Sequence, residues 1–219
     1  NVYQSGVNVV EFTVNNDGAS GIYDYDADWG SNPAKKTAIL KMLQAKYKDP
    51  FKQTYVNTFQ RALDGSLSFN TAVQQSPVIT TKFEDNDLSN KLKMIARTIA
   101  VRKQLGFKRQ IFYLHYSGWD HHDELLDNQR SMLQTLDTAI DSFQKSVQEL
   151  NIADNVVTFT MSEFARTLSS NGNGTDHAWG GNAMVIGNPV KGKQIYGNFP
   201  SLTLKSNIDL GNGVLIPEL

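Results

Sequence analysis

The chain has 219 residues, 40% of them apolar and 20% charged, enough to bury a core without cross-links. Its 21 basic and 22 acidic side chains leave a net charge of −1, which excludes a bulk electrostatic attraction to nucleic acid or to an anionic membrane. It has no cysteine, so disulfides and thiolate metal sites are excluded and any metal must be held by His, Asp, Glu or hydroxyl oxygen.

Val7–Val14 is rich in β-branched residues and reads as a strand closed by the turn Asn15-Asn16-Asp17-Gly18. The stretch that follows, to Pro33, is rich in Gly, Asp and Tyr and reads as a loop. Asp24, Asp26 and Asp28 alternate within it, which raises calcium binding. An EF-hand loop counted from Asp24 would need glycine and glutamate where the chain has Trp29 and Lys35, so a solvated loop fits better. Pro33–Lys48 is expected to be helical, with Pro33 near the first position and Ile39, Leu40, Met42, Leu43 and Tyr47 apolar. Pro50 breaks it. Phe51–Gln75 follows as a second helix, with Tyr55, Phe59, Ala62, Leu63 and Phe69 on one side. After a linker at Pro77–Phe83, the spacing of Leu88, Leu92, Ile95, Ile99 and Leu105 predicts a third helix ended by Gly106.

Arg109–Tyr116 is a near-continuous apolar run of strand length, as in a strand buried on both faces. Asp120–Leu150 reads as a long helix with Leu126, Leu133, Leu136, Ile140, Phe143, Val147 and Leu150 on its stripe. Asn155–Met161 and the shorter Ala183–Ile186 are expected strands. The strand–helix–strand order implies an α/β fold: a doubly wound, mostly parallel sheet with helices on both faces. Residues 1–219 are read as one α/β domain, with the mainly helical region 33–105 as a cap or insertion. The start at Asn1, without a methionine or signal peptide, and the mid-domain character of the last residues suggest a trimmed piece of a longer protein. No apolar run approaches a membrane span, and nothing in the sequence sets an oligomeric state.

In open α/β sheets ligands sit beyond the carboxyl ends of the strands. Two polar stretches fall at such expected ends, Ser117–Asp123 and Ser162–His177, and all four histidines lie in or near them. Asp120 and His122 stand two apart at a strand-to-helix corner, a natural oxygen and nitrogen pair for a divalent metal. The alternative is that Asp120 or Asp123 caps the following helix. Glu163 and Arg166 follow the next strand: the acid suits a metal and the guanidinium suits an oxyanion, or the two simply pair with each other. Asn171-Gly172-Asn173-Gly174 permits a tight loop before Asp176-His177, which resembles the carboxylate–imidazole pairs of metal sites; a loop turn capped by Asp176 is the alternative. His115 is expected to be a core histidine, and His121 is a further candidate ligand that helix geometry could instead aim at solvent. Ser162 lacks the glycines of a nucleophile elbow and is read as supporting the site rather than attacking substrate. Trp119 and Trp179 are expected to pack.

Phe107–Phe112, Gly118–Asp123, Ser162–Thr167, Asn171–Gly180 and Val190–Gly197 occur in an order that resembles the bacterial family called domain of unknown function 1501. The likeness is good over residues 88–204 and looser before them. That family is similar to the alkaline phosphatase and sulfatase superfamily, and the resemblance implies its doubly wound fold with metals at the strand ends. By position it gives Asp120, His122 and His177 to one divalent ion and Glu163 to a second. An alternative alignment makes Asp176-His177 the superfamily's Asp-His pair. The implied ions are Zn, Mg, Mn or Ca, and the implied activity is metal-dependent hydrolysis of small anionic phosphate or sulfate esters, with Arg166 steadying the anion. Export from the cell is implied by resemblance alone.

The chain departs from the family pattern in places. His121 stands where Thr is frequent, and Ala165 and Ala178 replace usual glycines. The superfamily's first strand, with its metal-binding Asp and its nucleophile, has no match here; Phe12–Asp17 is the only strand-then-Asp segment and its surroundings do not fit. The nucleophile is therefore unknown. A non-catalytic exported protein that binds metal or ligand is the alternative reading.

Overall fold

A computed structural model describes residues 12–217. The chain divides into two compact units, one running to Val78 and including Lys93–Tyr113, the other comprising Ile79–Leu92 and Leu114 onward.

In the first unit, the described part of the expected Val7–Val14 strand is a minimal hairpin, β1 (Val14–Asn15) with β2 (Gly18–Ala19). Residues 7–11 of that strand lie outside the described residues. Helix α1 (Asn32–Gln44) carries a proline in its first turn as expected. Helix α2 (Pro50–Gln74) starts at the residue expected only to end its predecessor. Asp49 caps it by accepting from the amides of Phe51 and Lys52, and Pro50 sits where no amide hydrogen is needed. Val56, Leu63, Ser66, Phe69 and Val73 form its buried stripe, while Tyr55 and Ala62 face outward. Phe69, Ala72 and Val73 pack with Ala19, Met94 and Val101, against which Phe12 and Leu105 close; the Phe12 and Phe69 rings lie 5.2 Å apart. The Asn70 side chain accepts from the Ala19 amide at 2.7 Å and donates to the Ala19 carbonyl, which anchors the hairpin to the helix.

The division between units falls within helix α3 (Asp87–Ala100). In the second unit, helix α4 (Leu125–Glu149) starts later than expected. Leu126 is 76% exposed, and the buried stripe begins only at Ala139, continuing through Phe143, Ser146 and Val147. The helix ends in a left-handed residue, Asn151, with Ile152 donating back to the Val147 carbonyl and Asn151 to that of Gln148, the paired bonds of a Schellman motif. At that end Glu149 reaches to a neighbouring loop. Its two carboxylate oxygens accept from the amides and hydroxyls of both Thr80 and Thr81.

The expected doubly wound parallel sheet is not formed. The described strands make three two-stranded antiparallel pairs: β1 with β2, β3 (Thr158–Phe159) with β6 (Val185–Ile186), and β4 (Ala165–Ser170) with β5 (Thr175–Ala178). Only Thr158–Phe159 of the expected strand at 155–161, and Val185–Ile186 of that at 183–186, are strand. Arg109–Tyr116 belongs to no described strand; Ile111 is 68% exposed and His115 is exposed rather than in a core. A strand buried on both faces needs strands at both edges and helices over both faces. Apolar, β-branched composition expresses a preference for such a place but does not supply the neighbours.

The Glu149 clamp has a pH signature. The amides and hydroxyls of Thr80 and Thr81 hold its carboxyl down from the ordinary 4.5 to about 2. A depressed carboxyl stabilises the fold fully above the unfolded-state value and loses that contribution as pH falls through the folded one. Stability should therefore decline between about pH 4.5 and 2 in the parent. In Glu149→Gln that part of the decline should be absent, as read by urea unfolding across the range.

Candidate functional site

The Ser162–His177 stretch, expected to be a loop after a parallel strand, is an antiparallel hairpin. Strands β4 and β5 pair Ala165 with Ala178, Arg166 with His177 and Ser170 with Thr175. The two alanines that replace family glycines thus face each other across the ladder. The turn is Asn171-Gly172-Asn173-Gly174, where Gly172 has φ +125°, the Gly174 amide donates to Asn171 Oδ1, and the Asn171 amide donates to the Gly174 carbonyl.

This turn seats the other polar stretch. The Thr175 amide donates to the His121 carbonyl, Asn171 Nδ2 donates to the His122 carbonyl, and Asn173 Nδ2 donates to Asp123. The Leu125 amide, at the exposed start of α4, donates to the Asn173 carbonyl at 3.2 Å. Neither Asp120 nor Asp123 caps α4; the capping position is Glu124, left-handed at φ 48° and without a side-chain cap bond. The hairpin turn satisfies the first of the unpaired amides at the helix start. Asp120 is left free for other bonds.

Those bonds converge on one atom. His177 Nε2 lies 2.7 Å and His122 Nε2 3.0 Å from Asp120 Oδ1, and Arg166 donates to the same oxygen at 2.7 Å. The hydrogen bond with His177 is the largest influence holding the Asp120 carboxyl below its ordinary range. The bond from Arg166 and the positive fields of both imidazoles act the same way, while partial desolvation opposes them. The far nitrogen of His122, Nδ1, lies 3.3 Å from Asp176 Oδ1, which also accepts from Asn171 Nδ2. Arg166 pairs with Asp120 rather than with Glu163. Its other bonds run to the Thr175 and Trp119 carbonyls, both at 2.8 Å, and its side chain is only 17% exposed. Its fork thus positions Asp120 and ties Trp119 to the hairpin.

Among the described residues, Asp120, His122 and His177 offer ligand atoms that all lie within 4.8 Å of one another, on exposed side chains. Four-coordinate zinc, with bonds of about 2.0–2.1 Å, sets its ligand atoms about 3.3 Å apart. The observed 2.7 and 3.0 Å from Asp120 to the two imidazoles are shorter than that spacing, so these exposed side chains would have to move apart to take a divalent cation. Glu163 is exposed and lies outside this group. Asp123 is engaged by Asn173. His121 is neither at the cluster nor in solvent: it is 8% exposed, its ring meets Trp119 edge-on, and its buried Nε2 has no hydrogen-bond partner. Ser162 Oγ donates to the Phe164 carbonyl at 2.7 Å, a supporting role. Trp119 packs edge-on against Tyr116, whereas Trp179 is largely exposed.

The family model described as "Protein of unknown function (DUF1501)" matches residues 25–210, and the chain belongs to that family. Neither a curated protein nor a solved structure matches it.

A Cβ at Gly174 would fall 2.2 Å from the His122 carbonyl carbon and 2.7 Å from the Asp123 amide nitrogen. Backbone on both sides of that contact leaves no flexible side chain to yield. Gly174→Ala should cost about 1–3 kcal/mol in denaturant unfolding. In an NMR spectrum its largest shift changes should fall on residues 121–125.

Proposed function

We propose that this DUF1501 protein is a metal-dependent hydrolase of small phosphate or sulfate esters, with Asp120, His122 and His177 holding one divalent cation. The observation that carries this reading is the convergence of one carboxylate oxygen and two imidazole nitrogens on exposed side chains. Three protein ligands with an open position are the pattern of catalytic metal sites, whereas structural sites are closed by four. The imidazole pair favours zinc over magnesium, calcium or manganese. The order of motifs around these residues, which resembles that of alkaline phosphatases and sulfatases, supports an anionic ester as substrate.

When bound, a divalent cation supplies Lewis acidity to the oxygens of such an ester. The protein's part is positioning. Asp120 is held ionised, Arg166 fixes the direction of its carboxylate, and Asp176 bonds the outer nitrogen of His122 so that Nε2 faces inward. Glu163 stands apart from the cluster, so the reading rests on one cation. A second reading, metal binding without turnover, is favoured by one observation: Arg166, the guanidinium that reaches the cluster, is committed to Asp120 and two carbonyls.

Zinc titration with elemental analysis of the desalted protein tests the metal. His122→Ala and His177→Ala should each weaken binding by more than about 100-fold, exceeding the usual cost of losing a mere supporting partner. Full occupancy in either variant overturns the assignment. Turnover of aryl phosphate or aryl sulfate by the metal-loaded protein supports the hydrolase; stoichiometric metal without turnover supports the second reading.

A further inference from the structure

His122 and His177 are held in different ways. His122 has a carboxylate at its outer nitrogen, Asp176, the usual device for aiming a metal-binding imidazole. Among the described residues, the ring of His177 meets Asp120 at Nε2 and is otherwise held through its faces. The Phe164 ring lies parallel to it, centroids 4.1 Å apart and planes 7° apart, and the His122 ring lies 5.1 Å away.

The hairpin register explains how Phe164 comes to be there. Arg166 is directly opposite His177, and Phe164 immediately precedes β4, so continuing the ladder's alternation by one residue places it diagonal to His177. Phe164 is itself fixed from two directions. The Arg166 guanidinium carbon sits 5.1 Å from its ring centroid, and the Ser162 hydroxyl pins its carbonyl at 2.7 Å. Arg166 therefore touches both ends of one chain of contacts, bonding Asp120 and covering the ring that aligns His177.

We propose that Phe164 is a positioning residue of this site, which sets the plane of the His177 imidazole by stacking and so keeps Nε2 aimed at the point where the ligand atoms converge. The proposal rests on the metal-binding reading above. A phenyl face against an imidazole restricts rotation about its side-chain torsion and leaves the nitrogen lone pair in the ring plane, clear of the stack. An aliphatic side chain of similar bulk fills the space without setting a plane.

The test compares the parent, Phe164→Leu and Phe164→Tyr, each checked for folding by its amide NMR spectrum. In metal-free protein, the His177 ring protons should be shifted upfield by the Phe164 ring current. The shift should vanish in Phe164→Leu and return in Phe164→Tyr. In zinc titrations, affinity should fall about tenfold or more in Phe164→Leu, and Phe164→Tyr should restore it to within a few-fold of the parent. Equal zinc affinity in the parent and in a folded Phe164→Leu overturns the positioning role while leaving the metal site intact. A parent that takes up no zinc, manganese or magnesium overturns the metal reading itself and the role of Phe164 in it. Should Phe164→Leu fail to fold, Phe164→Tyr and Phe164→Trp decide: both must keep the upfield shift and the affinity, and loss of affinity with the shift retained overturns the proposal.

Discussion

The candidate site depends on the close seating of the Asn171–Gly174 turn on the backbone of residues 121–125. Gly174 approaches the His122 carbonyl and the Asp123 amide so closely that no side chain could stand between them. Around that contact, Thr175, Asn171 and Asn173 bond to His121, His122 and Asp123, and the first amide of α4 donates to Asn173. Two segments about fifty residues apart in sequence thereby form one rigid corner, as the Asn173–Asp123 separation shows. A loop of such length is costly to close. Several backbone bonds at one place, together with the helix start they satisfy, offset that cost.

The corner has an electrostatic consequence. Asp120 lies before the capping position of α4, and its Oδ1 is a common partner of Arg166, His122 and His177. Two of those partners come from facing positions on the hairpin, so the ladder register sets the spacing of the donors. A carboxylate that receives hydrogen bonds from several cationic or polar groups is stabilised in its ionised form. That matches the direction in which Asp120 is displaced.

The helices were legible in the sequence because they follow local rules. Apolar spacing and Pro33 in the first turn of α1 each act within a few residues, although Pro50 starts α2 rather than only ending its predecessor and α3 stops at Ala100, short of the expected Gly106. The sheets were not legible, because pairing is non-local. Ile111, Val157 and Phe159 have the side chains of buried strands, yet they are exposed, Phe159 by 61%. The hairpin of β4 and β5 has polar strands and Asn-Gly in its turn, a local hairpin signal. At the site, the chemistry-bearing types at 120, 122 and 177 could be named from sequence. The part played by Phe164 could not, since its ring meets that of His177 only once the hairpin has paired Arg166 with His177. Arg166 carried the right chemistry for an anion but has its donors turned to carbonyls and to Asp120, a fact of geometry rather than composition.

The same atoms that could hold a cation are now shared among themselves. An imidazole nitrogen gives its lone pair either to a proton or to a metal, so at these atoms a cation competes with protons. Asp120, already held ionised, has none to lose. Both imidazoles present Nε2 to the same oxygen of Asp120. Arg166, by contrast, keeps its protons whatever binds, and its hydrogen bond to Asp120 Oδ1 holds the carboxylate in place.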